Sequence, residues 1–245
     1  MREHAVIVAH GQPSDPAPAE AALAALAGRV AAHLPPGWSV RSATLAAPGA
    51  LEEALGGAPP EALIYPLFMA DGWFTQINLP ERMTVVGADA GDARILPPMG
   101  CDPALWELAA DAAQEAARER GLAPGACDLL LAAHGARNNG RAARAAHRIA
   151  DHVTAHSGFR AVHLGFVEEA PFLPDAARAV QRPALCLPLF AAAGEHVRED
   201  VPELLREGGF AGEILPAIGL HPAVPKLIAG ALVRAPLIGR EIADG

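Results

Sequence analysis

Cysteine is scarce in this chain: Cys101, Cys127 and Cys186 stand far apart and in no CxxC pair, which argues against a disulfide framework, a zinc knuckle or an iron–sulfur cluster. They read as small core residues. Long apolar runs are missing too. No stretch reaches the roughly 18 uninterrupted apolar residues of a membrane span, and Ala5–Ala9 meets His10 too early to form the core of a signal peptide. Basic residues nowhere cluster as a phosphate-backbone footprint requires, and 19 of them against 28 acidic ones leave a net charge of −9, so nucleic acid is not an expected partner. The expectation is a cytoplasmic protein. Aromatic residues make up only 4% and charged ones 19%, but 51% of the 245 residues are apolar, enough for a packed core rather than disorder.

What the sequence does contain is a copy of itself. AVIVAHG (Ala5–Gly11) recurs as LLLAAHG (Leu129–Gly135), and YPLFMADG (Tyr65–Gly72) as LPLFAAAG (Leu187–Gly194). ILPPMGCDP (Ile95–Pro103) recurs as ILPAIGLHP (Ile214–Pro222). The offset drifts only from 124 to 119 residues between the first block and the last, as small loop deletions would produce. An internal duplication follows, with one repeat over 1–122, a second over 123–234, and a tail over 235–245.

Each repeat alternates short apolar runs with longer Ala-rich segments of helical spacing. In the second repeat the expected strands are Asp128–Ala133, Ala161–Val167, Ala184–Phe190 and Glu213–Pro216. The expected helices are Arg141–His156, Phe172–Val180, Val197–Glu207 and Ala223–Val233. The first helix of the chain has a readable start, with Ser14 or Asp15 as cap and Pro16 at the first helical position. Strands that are apolar throughout are buried on both faces, which implies a parallel sheet between helices. The expected fold is therefore α/β, with two pseudo-symmetric, doubly wound parallel-sheet halves. Ligands bind such sheets at the carboxyl ends of the strands.

Polar residues collect at those ends. His10 and His134 directly follow their strands, each before a glycine. His196 lies in the loop after the third strand of the second repeat, and Glu168 and Glu169 follow the second. His134, Glu168 and His196 would bring two imidazoles and a carboxylate to one edge, a set suited to a divalent cation with open coordination positions. In the first repeat, His196 aligns with Phe74, and Glu168 with Leu45 when Pro48 is matched to Pro171. The chemistry is thus expected in the second repeat, with Phe74, Trp73 and Met69 offering an apolar surface to a large flat ligand. Arg137, Arg141, Arg144 and Arg198 near the same edge point to an anionic ligand.

At these residues the chain resembles the class II tetrapyrrole chelatases, in particular the long, internally duplicated sirohydrochlorin chelatases of the CbiX/SirB type. The likeness rests on VAHG (Val8–Gly11), AAHG (Ala132–Gly135), GFVEEAP (Gly165–Pro171) and LPLFAAAGEHVREDVP (Leu187–Pro202). The last is similar to the family's Pro-Leu-Phe-x(3)-Gly-x-His-x(3)-Asp-x-Pro segment. Departures are HGQ (His10–Gln12) and HGA (His134–Ala136) where the family has HGS, and Asn78 opposite Asp200.

The resemblance implies a lyase that inserts Co²⁺ or Fe²⁺ into sirohydrochlorin, in cobalamin or siroheme biosynthesis, at an active-site cleft between the halves. It implies His134, His196 and Glu168 as catalytic and metal-holding residues, and no organic cofactor beyond the metal ion as substrate. His10, Phe74, Arg137, Arg141 and Arg198 are expected to hold the macrocycle, whose rim carries carboxylates. A monomer is expected, since one duplicated chain holds what short relatives assemble from two subunits. The alternative is a tetrapyrrole or metal carrier derived from a chelatase. A histidine phosphatase, whose strand also ends in His-Gly, would need an arginine where Ala9 and Ala133 stand.

Overall fold

The structure is a computed structural model that describes residues 3–57, 61–86, 93–136, 140–192, 194 and 196–243; the side chains of 196 and of 236–243 lie outside that description. The chain divides into two compact units. The first takes the residues up to Phe68, Trp73–Met99 and the segment from Ala223 onward, and the second takes Met69–Gly72 and Gly100–Pro222.

In the first unit, β1 (Glu3–Ala9), β2 (Trp38–Thr44), β3 (Leu63–Pro66) and β4 (Arg94–Ile95) form a parallel sheet in the order β2-β1-β3-β4. The connecting helices are α1 (Pro16–Ala31), α2 (Ala50–Leu55) and α3 (Leu79–Val86). Helix α1 starts at Pro16 as expected, although Asp15 at its cap makes no side-chain capping bond. Val6, Val8 and Ile64 from the strands pack with Leu51, Leu55, Leu79 and Met83 from the helices.

The second unit repeats the plan. Its strands β5 (Asp128–Ala133), β6 (Ala161–Phe166), β7 (Ala184–Pro188) and β8 (Glu213–Ile214) are parallel in the order β6-β5-β7-β8. Its helices are α5 (Arg141–His156), α6 (Leu173–Arg178) and α7 (Val201–Glu207). All six residues of β5 are buried, as a central strand covered on both faces must be. Each fully buried Leu or Val in these strands contributes roughly 1.5–3 kcal/mol.

The repeat in sequence and the unit in space divide the chain differently. Helix α4 (Pro103–Glu119), which closes the first repeat, packs against α5 in the second unit and buries Leu105, Ala109, Ala113 and Ala117. Helix α8 (Val224–Ala243), which closes the second repeat, packs against α1 in the first unit, and Arg94 donates to the Ala235 carbonyl there. No helix among the described residues is long and apolar enough to cross a membrane.

The recurring glycine of the ILPPMG and ILPAIG blocks has a steric cause. A Cβ on Gly100 would lie 1.9 Å from the Met69 carbonyl oxygen, and one on Gly219 would lie 2.2 Å from that of Ala191. In both copies the loop leaving the third strand is laid directly on this glycine.

Candidate functional site

The sheet order places a switch point at the carboxyl ends of β1 and β5, where the chain turns from one neighbour strand to the other, and such points are where open α/β sheets take their ligands. His10 and His134 are the first residues past those ends.

Backbone pairing continues past β5 and fixes what stands beside His134. Val167 donates its N–H to the Ala133 carbonyl at 3.0 Å, and Glu168 donates to the His134 carbonyl at 2.9 Å. The imidazole and carboxylate residues are therefore locked in register by the strands that carry them. Gly135 then turns with φ +77°, a conformation in which L side chains are strained. The Ala136 N–H donates to Glu169 Oε1 at 2.7 Å. His134 Nδ1 lies 3.1 Å from the Gly135 carbonyl. A carbonyl only accepts, so this bond requires the proton on Nδ1 and puts the lone pair on Nε2, the nitrogen that can bind an ion or take up a proton.

The first unit repeats the geometry with different chemistry. Leu45 donates to the Ala9 carbonyl and Ala46 to the His10 carbonyl, both at 2.9 Å, and Gly11 turns with φ +78°. By these bonds the counterpart of Glu168 is Ala46 rather than Leu45, because the pairing register, not the downstream proline, sets the match. Phe74 opens a π-helical turn, Phe74–Asn78, and its ring centroid is 4.5 Å from that of His10. Phe68 stacks on Phe74 at 5.8 Å, and Trp73 meets it edge-on at 5.0 Å. His10 is exposed on one side, yet lost hydration, and secondarily the nearby Arg82, hold its pKa below the usual 6.5.

His196 opens the equivalent π-helical turn, His196–Asp200, just before α7; its side chain is outside the description. Arg137 also lies outside the described residues. Arg198 is exposed on the π-helical turn, and Arg141 is exposed at the start of α5. Arg141 lines a small cavity of about 180 Å³ with Arg144, Arg148, Asp71 and Cys101. Among the described residues no three His, Cys, Asp or Glu side chains gather in a cluster able to hold a metal ion.

The structural role of Glu169 has no sequence signal, because it depends on the position of the Ala136 amide across the loop. Arg148 was open to discovery, since it follows Arg141 and Arg144 at helical spacing.

The CbiX family profile matches residues 128–235. Among solved structures, the chain is similar to CbiX, described as the terminal enzyme for biosynthesis of siroheme in denitrifying bacteria, with 48% identity and a TM-score of 0.87, over 95% of this chain and 99% of that one. It also shares its fold with SirB from Bacillus subtilis with Fe3+, at 18% identity and TM-score 0.74 over 96% of this chain and 95% of that one. A third similar structure is the sirohydrochlorin chelatase SirB from Bacillus subtilis subspecies spizizenii in complex with cobalt, at 16% identity and TM-score 0.70, with the same coverage. Among curated proteins none matches the chain.

Proposed function

The chain belongs to the CbiX family, and from that premise we propose that it is a sirohydrochlorin chelatase whose metal substrate is Fe²⁺, with His134, Glu168 and His196 as the metal-holding set. Siroheme is the iron complex of sirohydrochlorin, and the role described for the 48%-identical CbiX supports iron over cobalt.

The observation that carries the site assignment is the pair of backbone bonds that hold Glu168 beside His134 while Glu169 is committed to the Ala136 amide. Two adjacent carboxylates thereby receive separate tasks. The first unit supplies a template for the remaining ligand. Phe74, which aligns with His196 and opens the same π-helical turn, has its ring 4.5 Å from that of His10, the counterpart of His134.

Metal insertion exchanges two pyrrolic protons of the free macrocycle for one M²⁺ and releases 2 H⁺. His134 Nε2 and His196 hold the incoming ion in exchangeable positions, and Glu168 offsets its charge. As the ion passes to the ring nitrogens, these same groups are vacated and accept the protons. A three-ligand set with open positions releases its ion more readily than a closed tetrahedral one. Under this reading the repeat over 1–122 keeps only His10 of the set, while the repeat over 123–234 performs the chemistry. Arg141 and Arg198, and by sequence Arg137, are assigned to pair with the carboxylate rim of the substrate. The chain is expected to act as a monomer, which sedimentation would check.

The decisive assay mixes the protein anaerobically with sirohydrochlorin and limiting Fe²⁺, and separately Co²⁺, and follows the visible spectrum against a no-protein control. Turnover beyond one equivalent, faster with Fe²⁺, is expected. A spectral change that stops at one equivalent, with no rate above background, would identify a carrier instead.

A further inference from the structure

We propose that the cavity formed by Arg141, Arg144, Arg148, Asp71 and Cys101 is a carboxylate subsite that seats one acidic arm of the macrocycle and thereby sets its orientation. This rests on the chelatase reading for the identity of the substrate, but the anion preference stands on the cavity itself.

Residues 141, 144 and 148 are spaced i, i+3 and i+7 and so project from one face of α5. All three are exposed. Four arginines elsewhere in this acidic chain are neutralised from within: Arg120 pairs with Glu213, Arg160 with Asp128, Arg178 with Asp175 and Arg206 with Glu203. Arg144 and Arg148 have no such hydrogen bond or ion pair among the described residues. Three guanidinium groups against the single carboxylate of Asp71 leave the cavity cationic, and guanidinium binds a carboxylate through a two-pronged fork.

The opposite wall is preformed. The Asp71 backbone hydrogen-bonds the Cys101 thiol, and the loop that carries Asp71 lies on Gly100, where no side chain fits. At about 180 Å³ the space is too small for a whole drug-sized ligand, which takes roughly 300–1,000 Å³, but it admits a single acetate or propionate arm. The α5 wall begins seven residues after His134, so the subsite is tied in sequence to the proposed metal site.

Cys101 provides the reporter. It is partly exposed, whereas Cys127 and Cys186 are buried, so iodoacetamide applied to the folded full-length protein reads this cavity. Metal-free sirohydrochlorin is expected to slow Cys101 alkylation about tenfold. Arg144→Gln combined with Arg148→Gln should remove that protection and raise KM about tenfold with kcat unchanged, as loss of charge-assisted hydrogen bonds to a non-reacting arm predicts. The matching double Lys variant should recover part of the protection, and Arg206→Gln should change nothing. Unchanged alkylation in the presence of sirohydrochlorin, or a wild-type KM in the Gln double variant, overturns the subsite even if the enzyme turns over. Protection of Cys101 in a protein that never exceeds background insertion supports the subsite and overturns the chelatase reading instead.

Discussion

Glu169 Oε1 accepts the Ala136 N–H at 2.7 Å, and its Cγ and Oε1 lie where a Cβ on Gly135 would come within 2.9 Å of them. This carboxylate braces the turn that aims His134, and its neighbour Glu168 is tied to the same histidine through the backbone bond on the His134 carbonyl. Substitution should separate the two. Glu168→Gln is expected to lower kcat by about 100-fold or more, the scale of a lost proton-transfer group, with Tm unchanged. Glu169→Ala should cost about 1–2 kcal/mol of stability, visible in a thermal melt. A large kcat loss in Glu169→Gln with full stability would reverse the roles.

Gly135→Ala meets both difficulties at once. Its φ of +77° carries a penalty of about 1–2 kcal/mol for a residue with a Cβ, and the new methyl group would displace Glu169. Lower Tm together with reduced insertion activity is the expected result. A fully active, fully stable variant would mean that the turn does not aim His134.

Phe74 and His10 give a pH prediction. His10 has its pKa held below the usual 6.5, first by lost hydration. A group whose folded pKa is depressed adds stability above its ordinary value and loses it as pH falls through the folded one. Phe74→Ala rehydrates the ring and should move the His10 titration up toward 6.5, as followed by NMR of the imidazole. It should also weaken macrocycle binding more than it slows insertion. An unmoved titration would assign the depression to Arg82.

At the other end of β5, Asp128 is only 2% exposed and accepts from Arg160 Nε at 2.8 Å and from the Gln181 N–H at 2.7 Å, with His163 Nε2 at 3.3 Å. Burial pushes its pKa up, but these partners more than offset it and hold the carboxyl below 3.8. Its stabilisation is therefore present above pH 3.8 and lost as the pH falls through the lower folded value. Asp128→Asn should cost about 2–3 kcal/mol at neutral pH and flatten the acid limb of the stability profile, with kcat unaltered. Chemical denaturation across pH would test both parts.

Elements with sharp chemical boundaries were legible in the sequence. Asp128–Ala133 and Arg141–His156 match their expected limits to the residue, because an unbroken apolar run and a strong apolar stripe leave little freedom. The strand after Ala184 stops at Pro188, short of Phe190, and a last bond from the Leu189 N–H to the Ala132 carbonyl at 2.7 Å closes its pairing with β5. The π-helical turns Phe74–Asn78 and His196–Asp200 were not legible: an i→i+5 hydrogen bond leaves no periodic trace in five residues. Helix α8 continues past Val233 to Ala243. At the candidate site, the positions of His10 and His134 followed from strand ends. The division of labour between Glu168 and Glu169 did not, because it depends on one backbone amide across a loop.

The exchange of closing helices also sets an order in time. Helix α1 emerges before the second unit, but its partner α8 emerges only after the strands and all four helices of that unit. The contact between α1 and α8 spans some 200 residues of sequence, and closing it has an entropic cost that nearer contacts do not. The second unit, whose own helix α4 precedes it on the ribosome, can assemble as it is made. The unit that starts the chain is the one that is finished last.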